Sequence, residues 1–467
     1  MKMWSGRFRQ PLDPEFERWQ KSFAFDKRLL KYELAASGAH AQALKNAGVL
    51  SSAELIEILH GLKRIGELAA SSADFLHDDE AEDVHHFVEK QLVELIGEIG
   101  YKLHSGRSRN EQIATDLRLY TRAAIDQLLT DLSDLASAFV DRAESTGDAV
   151  MPAYTHLQRA EPVLAAHWML AYVEMFLRDA DRLADCRKRM NLCPLGSGAV
   201  AGAPLPLDRW AASSALEFDA PTTNSMDATS DRDFAIEFAN TISLLALHLS
   251  RWAEEMILFS TREYGFVHLP EAYSTGSSAM PQKKNADLLE LTRGKSARVI
   301  GNATALTITL KGLPLAYNKD LQETQQPLFD SAEIMVALLP LATGWMKAVG
   351  FDFARMKQAA ETGFMNAWAA ATYLVQRGVP SRPAHEQVGK LVRTCLEKQC
   401  ELHDLPIAEW RAINPLFDQD IYTALTLESV LAIHDVPGGT APARVQQAIA
   451  DARKRIAAIS LKVHAHS

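Results

Sequence analysis

Apolar residues recur at helical spacing along most of the chain. Between Ala114 and Ser145, Leu117, Tyr120, Leu128, Leu132, Leu135 and Phe139 fall on one helical stripe, and Gly147 is a natural stop. A second helix is expected to start near Pro162, which suits a first helical position. It runs through Leu170, Val173, Leu177, Ala180 and Leu183 and ends before Pro194. A third uses Phe234, Phe238, Ile242, Leu245, Leu249, Trp252, Met256 and Phe259, nearly a heptad seam. A fourth follows Asn285, and a fifth spans roughly residues 327–349. Helices of this length must bury long stripes, so the pattern predicts an all-α chain with a central bundle of five long helices. The apolar positions of the third helix spread more widely than one neighbour can cover. That points to self-association, a central place in a large monomer being the alternative.

Strand signals are sparse. The segments between the helices (residues 103–110, 150–159, 194–207 and 269–285) are rich in Gly, Ser, Pro and Asn and read as linkers. Boundaries near residues 106 and 355 divide the chain into three expected domains: a helical N-terminal part (1–106), the long-helix bundle (107–355) and a small C-terminal helical part (356–467). The last carries Pro380, Pro383, Pro406 and Pro415, looks more irregular, and holds no recognisable constellation.

A formal net charge of −10 gives no reason to expect nucleic acid or an anionic membrane as partner. The opening residues have no apolar stretch of signal-peptide length. The longest apolar run, near Ile334 to Met346, is broken by Pro340 and Gly344. It falls short of the roughly 18 apolar residues that a span needs and reads as a buried helix. Cys186, Cys193, Cys395 and Cys400 form no CxxC pair and no zinc pattern, so free thiols in a reducing cytoplasm are expected.

The linkers hold the candidate chemistry. In Gly276-Ser277-Ser278-Ala279-Met280-Pro281-Gln282-Lys283-Lys284-Asn285 the glycine lets the loop open and close. Asn285 or Asp287 can cap the following helix, whose first amides attract an anion. Serine is a poor base unless its alkoxide is stabilised, and Lys283 with a helix N-terminus would do that. In Tyr154-Thr155-His156-Leu157-Gln158-Arg159, a histidine beside a hydroxyl and an arginine is a candidate acid or base, a structural histidine being the alternative. His104-Ser105-Gly106-Arg107-Ser108-Arg109-Asn110-Glu111-Gln112 suits bidentate recognition of carboxylates, or a surface loop. The acids and histidines of residues 78–86 fit no compact metal motif, and the glycines of 196–202 follow no strand, so neither a metal nor a nucleotide is expected.

Together these loops resemble the aspartase/fumarase superfamily, and within it the argininosuccinate lyase family. The resemblance rests on residues 276–285, 106–110 and 154–159, on Ser225-Met226-Asp227 with Ser230-Asp231-Arg232-Asp233, on Tyr317-Asn318-Lys319-Asp320-Leu321-Gln322-Glu323, and on the opening Trp4-Ser5-Gly6-Arg7-Phe8. It runs from the N-terminus to about residue 350 and is weak beyond. It implies a cytoplasmic homotetramer with a tetrameric helical core, active sites shared between subunits, and no cofactor. The implied reaction is reversible cleavage of argininosuccinate to arginine and fumarate. Carried over by position, Ser277 would take the proton next to the succinyl carboxylate. Lys283 would stabilise the intermediate, His156 with Thr155 would serve the departing nitrogen, and Glu290 would pair with that histidine. Ser22, Asn110, Asn285, Tyr317, Lys319 and Gln322 would bind substrate, with Asp83, His85, Ser108 and Arg109 in close support.

The chain departs from the family pattern at Glu111, Glu161, Ala286, Thr324 and Gln325. The last two stand where the family usually has an acid and then a lysine that helps to hold substrate. They leave open a related lyase for another N-substituted aspartate or an aminopolycarboxylate. A non-catalytic crystallin-like protein is a third reading.

Overall fold

A computed structural model describes residues 9–464; the opening motif at 4–8 lies outside the described residues. The main elements are α1 (Leu30–Asn46), α2 (Val84–Ile96), α3 (Arg109–Ser145), β1 (Val150–Thr155), β2 (Gln158–Leu164), α4 (Ala165–Met190), α5 (Asp233–Ser260), β3 (Thr275–Gly276), β4 (Lys284–Asn285), α6 (Asp287–Leu310), α7 (Gln325–Ala348) and α8 (Phe353–Ala360). The five long helices expected from periodicity are α3, α4, α5, α6 and α7. Pro162 is a correction: it lies in β2, opposite Pro152, and α4 begins only at Ala165. Proline is tolerated there because a two-stranded ribbon leaves outward-facing edges with no ladder bond to lose. Residues 150–159, read as a linker, are therefore most of a hairpin. The C-terminal part is also more regular than expected, with helices at Ala367–Gln376, Ser381–Lys398, Ile407–Ile413 and Pro442–His464.

The chain divides into two compact units. The first comprises Met1–Gln127, Arg182–Ser243 and Arg298–Ile334; the second comprises Leu128–Asp181, Leu244–Ala297 and Met335–Ser467. In the first unit, Tyr120 of α3 meets Phe329 of α7 edge-on at 4.8 Å between ring centroids. Ala239 of α5 packs with Ala303 and Leu306 of α6. In the second, Phe139 of α3 contacts Phe176 of α4 at 5.3 Å and Trp252 of α5 at 6.1 Å, and Trp252 meets Trp345 of α7 at 5.1 Å. Large rings in edge-to-face pairs fill the space between long helices, although the buried Trp252 Nε1 has no hydrogen-bond partner among the described residues.

The apolar run in α7 also needs correcting. The helix continues through Pro340 and Gly344, and the stretch Lys319–Ala348 is long and apolar enough to cross a membrane by length and composition. Its most apolar window is 56% buried within the protein, as in a core helix.

Candidate active site

Most of the expected binding residues converge in the first unit. Asp83 is the N-cap of α2; its Oδ1 accepts from the His86 amide at 2.8 Å and its Oδ2 lies 3.0 Å from Arg109 Nη1. Burial alone would raise this carboxyl, but its bond with His85 and the charge of Arg109 hold it well below the usual carboxylate range. His85 is buried among carboxylates: Nε2 lies 3.0 Å from Asp116 Oδ2 and 3.9 Å from Glu33 Oε2, and Nδ1 lies 3.7 Å from Asp83 Oδ1. Burial opposes its charge, but the bonds to Asp116 and Asp83 win and keep it an imidazolium.

Glu33, His85 and Asp116 offer donor atoms within 4.8 Å of one another, a set that suits a metal ion. Two protein cations already neutralise them, since Arg107 Nη2 approaches Glu33 at 3.7 Å beside the charged His85. The cluster is a buried ion network.

Around it, Ser22 Oγ donates to Asp26 at 2.6 Å and the Ser22 amide to Glu82 O at 2.8 Å. Lys319 Nζ lies 3.6 Å from Glu82 Oε1, and Gln322 Nε2 donates to Gln20 O at 3.1 Å. Ser108 and Glu111 cap the start of α3: Ser108 Oγ accepts from the Asn110 amide at 3.2 Å, and the Ser108 amide donates to Glu111 Oε1 at 3.1 Å. Glutamate thus serves at 111 by capping. Asn110 Nδ2 donates to Ala199 O at 3.2 Å. Burial raises the Tyr317 hydroxyl, with the charge of Arg232 opposing.

Sequence reasoning did not single out Arg232 as a site residue. It is fully buried, Nη1 donates to Asp231 O at 2.8 Å, and Nε and Nη2 have no hydrogen-bond partner among the described residues. Its place in the 230–233 motif was the available signal. Glu33 and Asp116 gave none, because each is one acid on an ordinary helix face.

The second unit holds the acid–base candidates. β1 and β2 pair down to Thr155 opposite Gln158, so His156 and Leu157 form a two-residue turn at the tip. Both adopt positive φ, 53° and 57°. Such turns favour Asn-Gly, so a histidine and a leucine here mark stored strain. Thr155, His156 and Leu157 are exposed.

In the 274–285 loop, β3 and β4 make a short stem. Asp287 Oδ2 accepts from the Thr275 amide at 3.0 Å and its hydroxyl at 2.6 Å, while Asn285 Nδ2 donates to Thr275 Oγ1 and Gly276 O, each at 3.2 Å. A methyl at Gly344 would overlap the Tyr273 hydroxyl, so glycine there lets this ring approach closely. At the tip, Ser277 Oγ accepts from the amides of Ala279 at 3.3 Å and Met280 at 3.1 Å. Lys283 and Glu290 are exposed. Within the second unit, among the described residues, no hydrogen bond or ion pair joins His156 to Ser277, Lys283 or Glu290.

Residues 6–301 match a family model described as Lyase, and residues 364–432 match one described as Argininosuccinate lyase C-terminal. The chain is 60% identical over 464 residues to an argininosuccinate lyase of Koribacter versatilis, covering 99% of each chain. It is 57% identical to an argininosuccinate lyase of Acidobacterium capsulatum, covering 97% of this chain and 95% of that one. Among solved structures it resembles EDDS lyase in complex with formate, with a TM-score of 0.83, 26% identity and coverage of 98% and 93%. It shares its fold with a class II fumarase from Schistosoma mansoni, at a TM-score of 0.74, 16% identity and coverage of 85% and 90%.

Proposed function

The chain belongs to the argininosuccinate lyase family, and we propose that it cleaves argininosuccinate to arginine and fumarate by β-elimination at a carbon–nitrogen bond. The similarity to the C-terminal family model extends to residues where the loops alone gave little.

The observation that carries the mechanism is the pair of amides on Ser277 Oγ. Two N–H donors aimed at a hydroxyl oxygen stabilise the alkoxide, which makes serine competent to remove a proton from carbon. In our reading Ser277 takes the proton from the carbon next to the succinyl carboxylate. The electron pair moves into that carboxylate, where Lys283 offsets the added charge. It then returns to form the carbon–carbon double bond as the C–N bond breaks. The nitrogen leaves with the bonding pair and receives a proton from His156, assisted by Thr155 and Glu290. Asn285 and the polar groups around Ser22, Asp83, His85, Ser108, Arg109, Asn110, Tyr317, Lys319 and Gln322 bind and orient the substrate.

The exposed positions of His156, Lys283 and Glu290 support a site completed by other copies of the chain. We read the enzyme as a cytoplasmic homotetramer, divided at residues 106 and 355 into three domains. A second reading, a lyase for another N-substituted aspartate, is favoured by Thr324 and Gln325, both of them buried.

Fumarate release from argininosuccinate, followed by absorbance with a Ser277→Ala control, tests the proposal. Robust release that is lost in the control is expected. No release from folded wild type would move the assignment to the second reading.

A further inference from the structure

Strand β2 leaves the His156 turn and is anchored at three points along its length. Arg159 Nη1 donates to Ala359 O and to Thr362 Oγ1, each at 3.0 Å. Glu161 Oε1 lies 3.3 Å from His434 Nε2. The Leu164 amide donates to Thr440 Oγ1 at 2.9 Å. A lone two-stranded ribbon is marginal in water, so lateral anchors of this kind decide where its tip sits.

The segment that receives Arg159 is itself strained. Gly363 has φ 83° and Phe364, without the freedom of glycine, has φ 61°. One carboxylate holds both residues: Glu401 Oε1 accepts from the Gly363 amide at 2.9 Å and Oε2 from the Phe364 amide at 3.2 Å. Glu401 is fixed in turn, because its amide donates to Asp404 Oδ2 at 3.0 Å. The next residue, Leu402, is fully buried in a cluster with Trp410 and Phe417. Contacts therefore run from this apolar cluster to Glu401 and on to the 363–364 backbone; the adjoining Thr362 and Ala359 hold Arg159, which the strand itself joins to His156 three residues earlier.

We propose that Glu401 is a positioning residue for the elimination, setting the place of the His156 turn through the 362–364 turn and Arg159. This rests on the reading that His156 serves the departing nitrogen. Glu401 touches no substrate; it acts by holding a strained turn in one geometry. The 363–364 backbone would relax without the carboxylate, and Arg159 would lose fixed acceptors. Displacements of about 1 Å at a catalytic group cost up to about a hundredfold in rate.

The test uses the full-length assembled enzyme. Glu401→Gln is expected to lower kcat by about ten- to a hundredfold with KM within about twofold, and Glu401→Asp to recover part of the loss. In a His156→Ala background, Glu401→Gln should cause no further loss, since a displaced turn without its histidine has nothing left to misplace. Amide exchange at residues 150–164 should quicken. Should Glu401→Gln fail to fold, Thr362→Val removes one Arg159 acceptor at an exposed turn, and a several-fold lower kcat is expected. A folded Glu401→Gln with wild-type kcat, or an equal loss in both backgrounds, would overturn the proposal alone. A fully active His156→Ala would overturn the reading of His156 and this proposal with it.

Discussion

His85 Nε2 lies 3.0 Å from Asp116 Oδ2, and both side chains are buried. Glu33 and Asp83 also face this ring, so one imidazolium holds three acids beside the N-terminus of α2. Because the folded His85 is raised above its ordinary value, its contribution to stability is full below that value and is lost as pH rises through the folded one. Asp116→Asn keeps the shape but removes the acid nearest the ring, whose carboxyl is pushed up to about 7 by burial and by Glu33. Breaking a buried pair from one side is expected to destabilise the fold by about 3 kcal/mol. Thermal unfolding at neutral pH reads this as a lowered midpoint, and an unchanged midpoint would mean that Glu33 and Asp83 suffice.

Asp287 ties down the stem of the Ser277 loop by accepting twice from Thr275. It is half-buried and its carboxylate bonds within the loop stem, so its removal should leave the thermal midpoint near wild type. Asp287→Ala is instead expected to lower kcat by about tenfold or more, because a loosened stem lets the serine sample unproductive places. Faster amide exchange at residues 274–286 should accompany the loss. Full activity with a visibly loosened loop would show that the stem does not set the place of the serine.

The long helices α3, α4 and α5 were legible because they write their buried faces at spacings of three and four. The hairpin was not, because its strands carry Pro152 and Pro162 and its turn holds His156 and Leu157 where Asn-Gly would signal a hairpin. The loops that hold the candidate groups were equally legible, since glycines, serines and arginines crowd there. The groups behind them were silent. Glu33, Asp116 and Glu401 each act through a partner at least 31 residues away, and nothing local distinguishes them from other acids on a helix or turn.

Leu157 stands at φ 57° with 67% of its surface exposed, an apolar side chain at a hairpin tip. A left-handed conformation costs an L-residue about 1–2 kcal/mol, so a smaller polar residue would suit the isolated turn better. An exposed leucine at this strained turn fits a side chain that is covered by another copy of the chain. Leu157→Asn is therefore expected to weaken self-association, seen in sedimentation velocity as a shift to smaller species on dilution, with activity falling in parallel. A variant as resistant to dilution as wild type would place the leucine outside any contact between copies.

His40 links stability to acid. Its Nε2 lies 3.1 Å from Ser105 O, and burial, aided by the neighbouring charge of Arg107, pushes the ring down from 6.5 to about 3. The neutral ring donates to the carbonyl just before the Gly106-Arg107-Ser108 turn. The unfolded chain binds a proton near pH 6.5 and the folded one does not until about pH 3, so stability falls as pH drops through that window. The slope is about 1.4 kcal/mol per pH unit. His104, held down to about 4 by burial and then by Arg107 and Arg109, adds loss in the same direction. His40→Gln keeps a donor for Ser105 O and removes the titration. Comparing midpoints at pH 7 and pH 5, the variant is expected to lose about 2 kcal/mol less than wild type. Equal losses in the two proteins would mean that His40 becomes protonated without cost in the folded state.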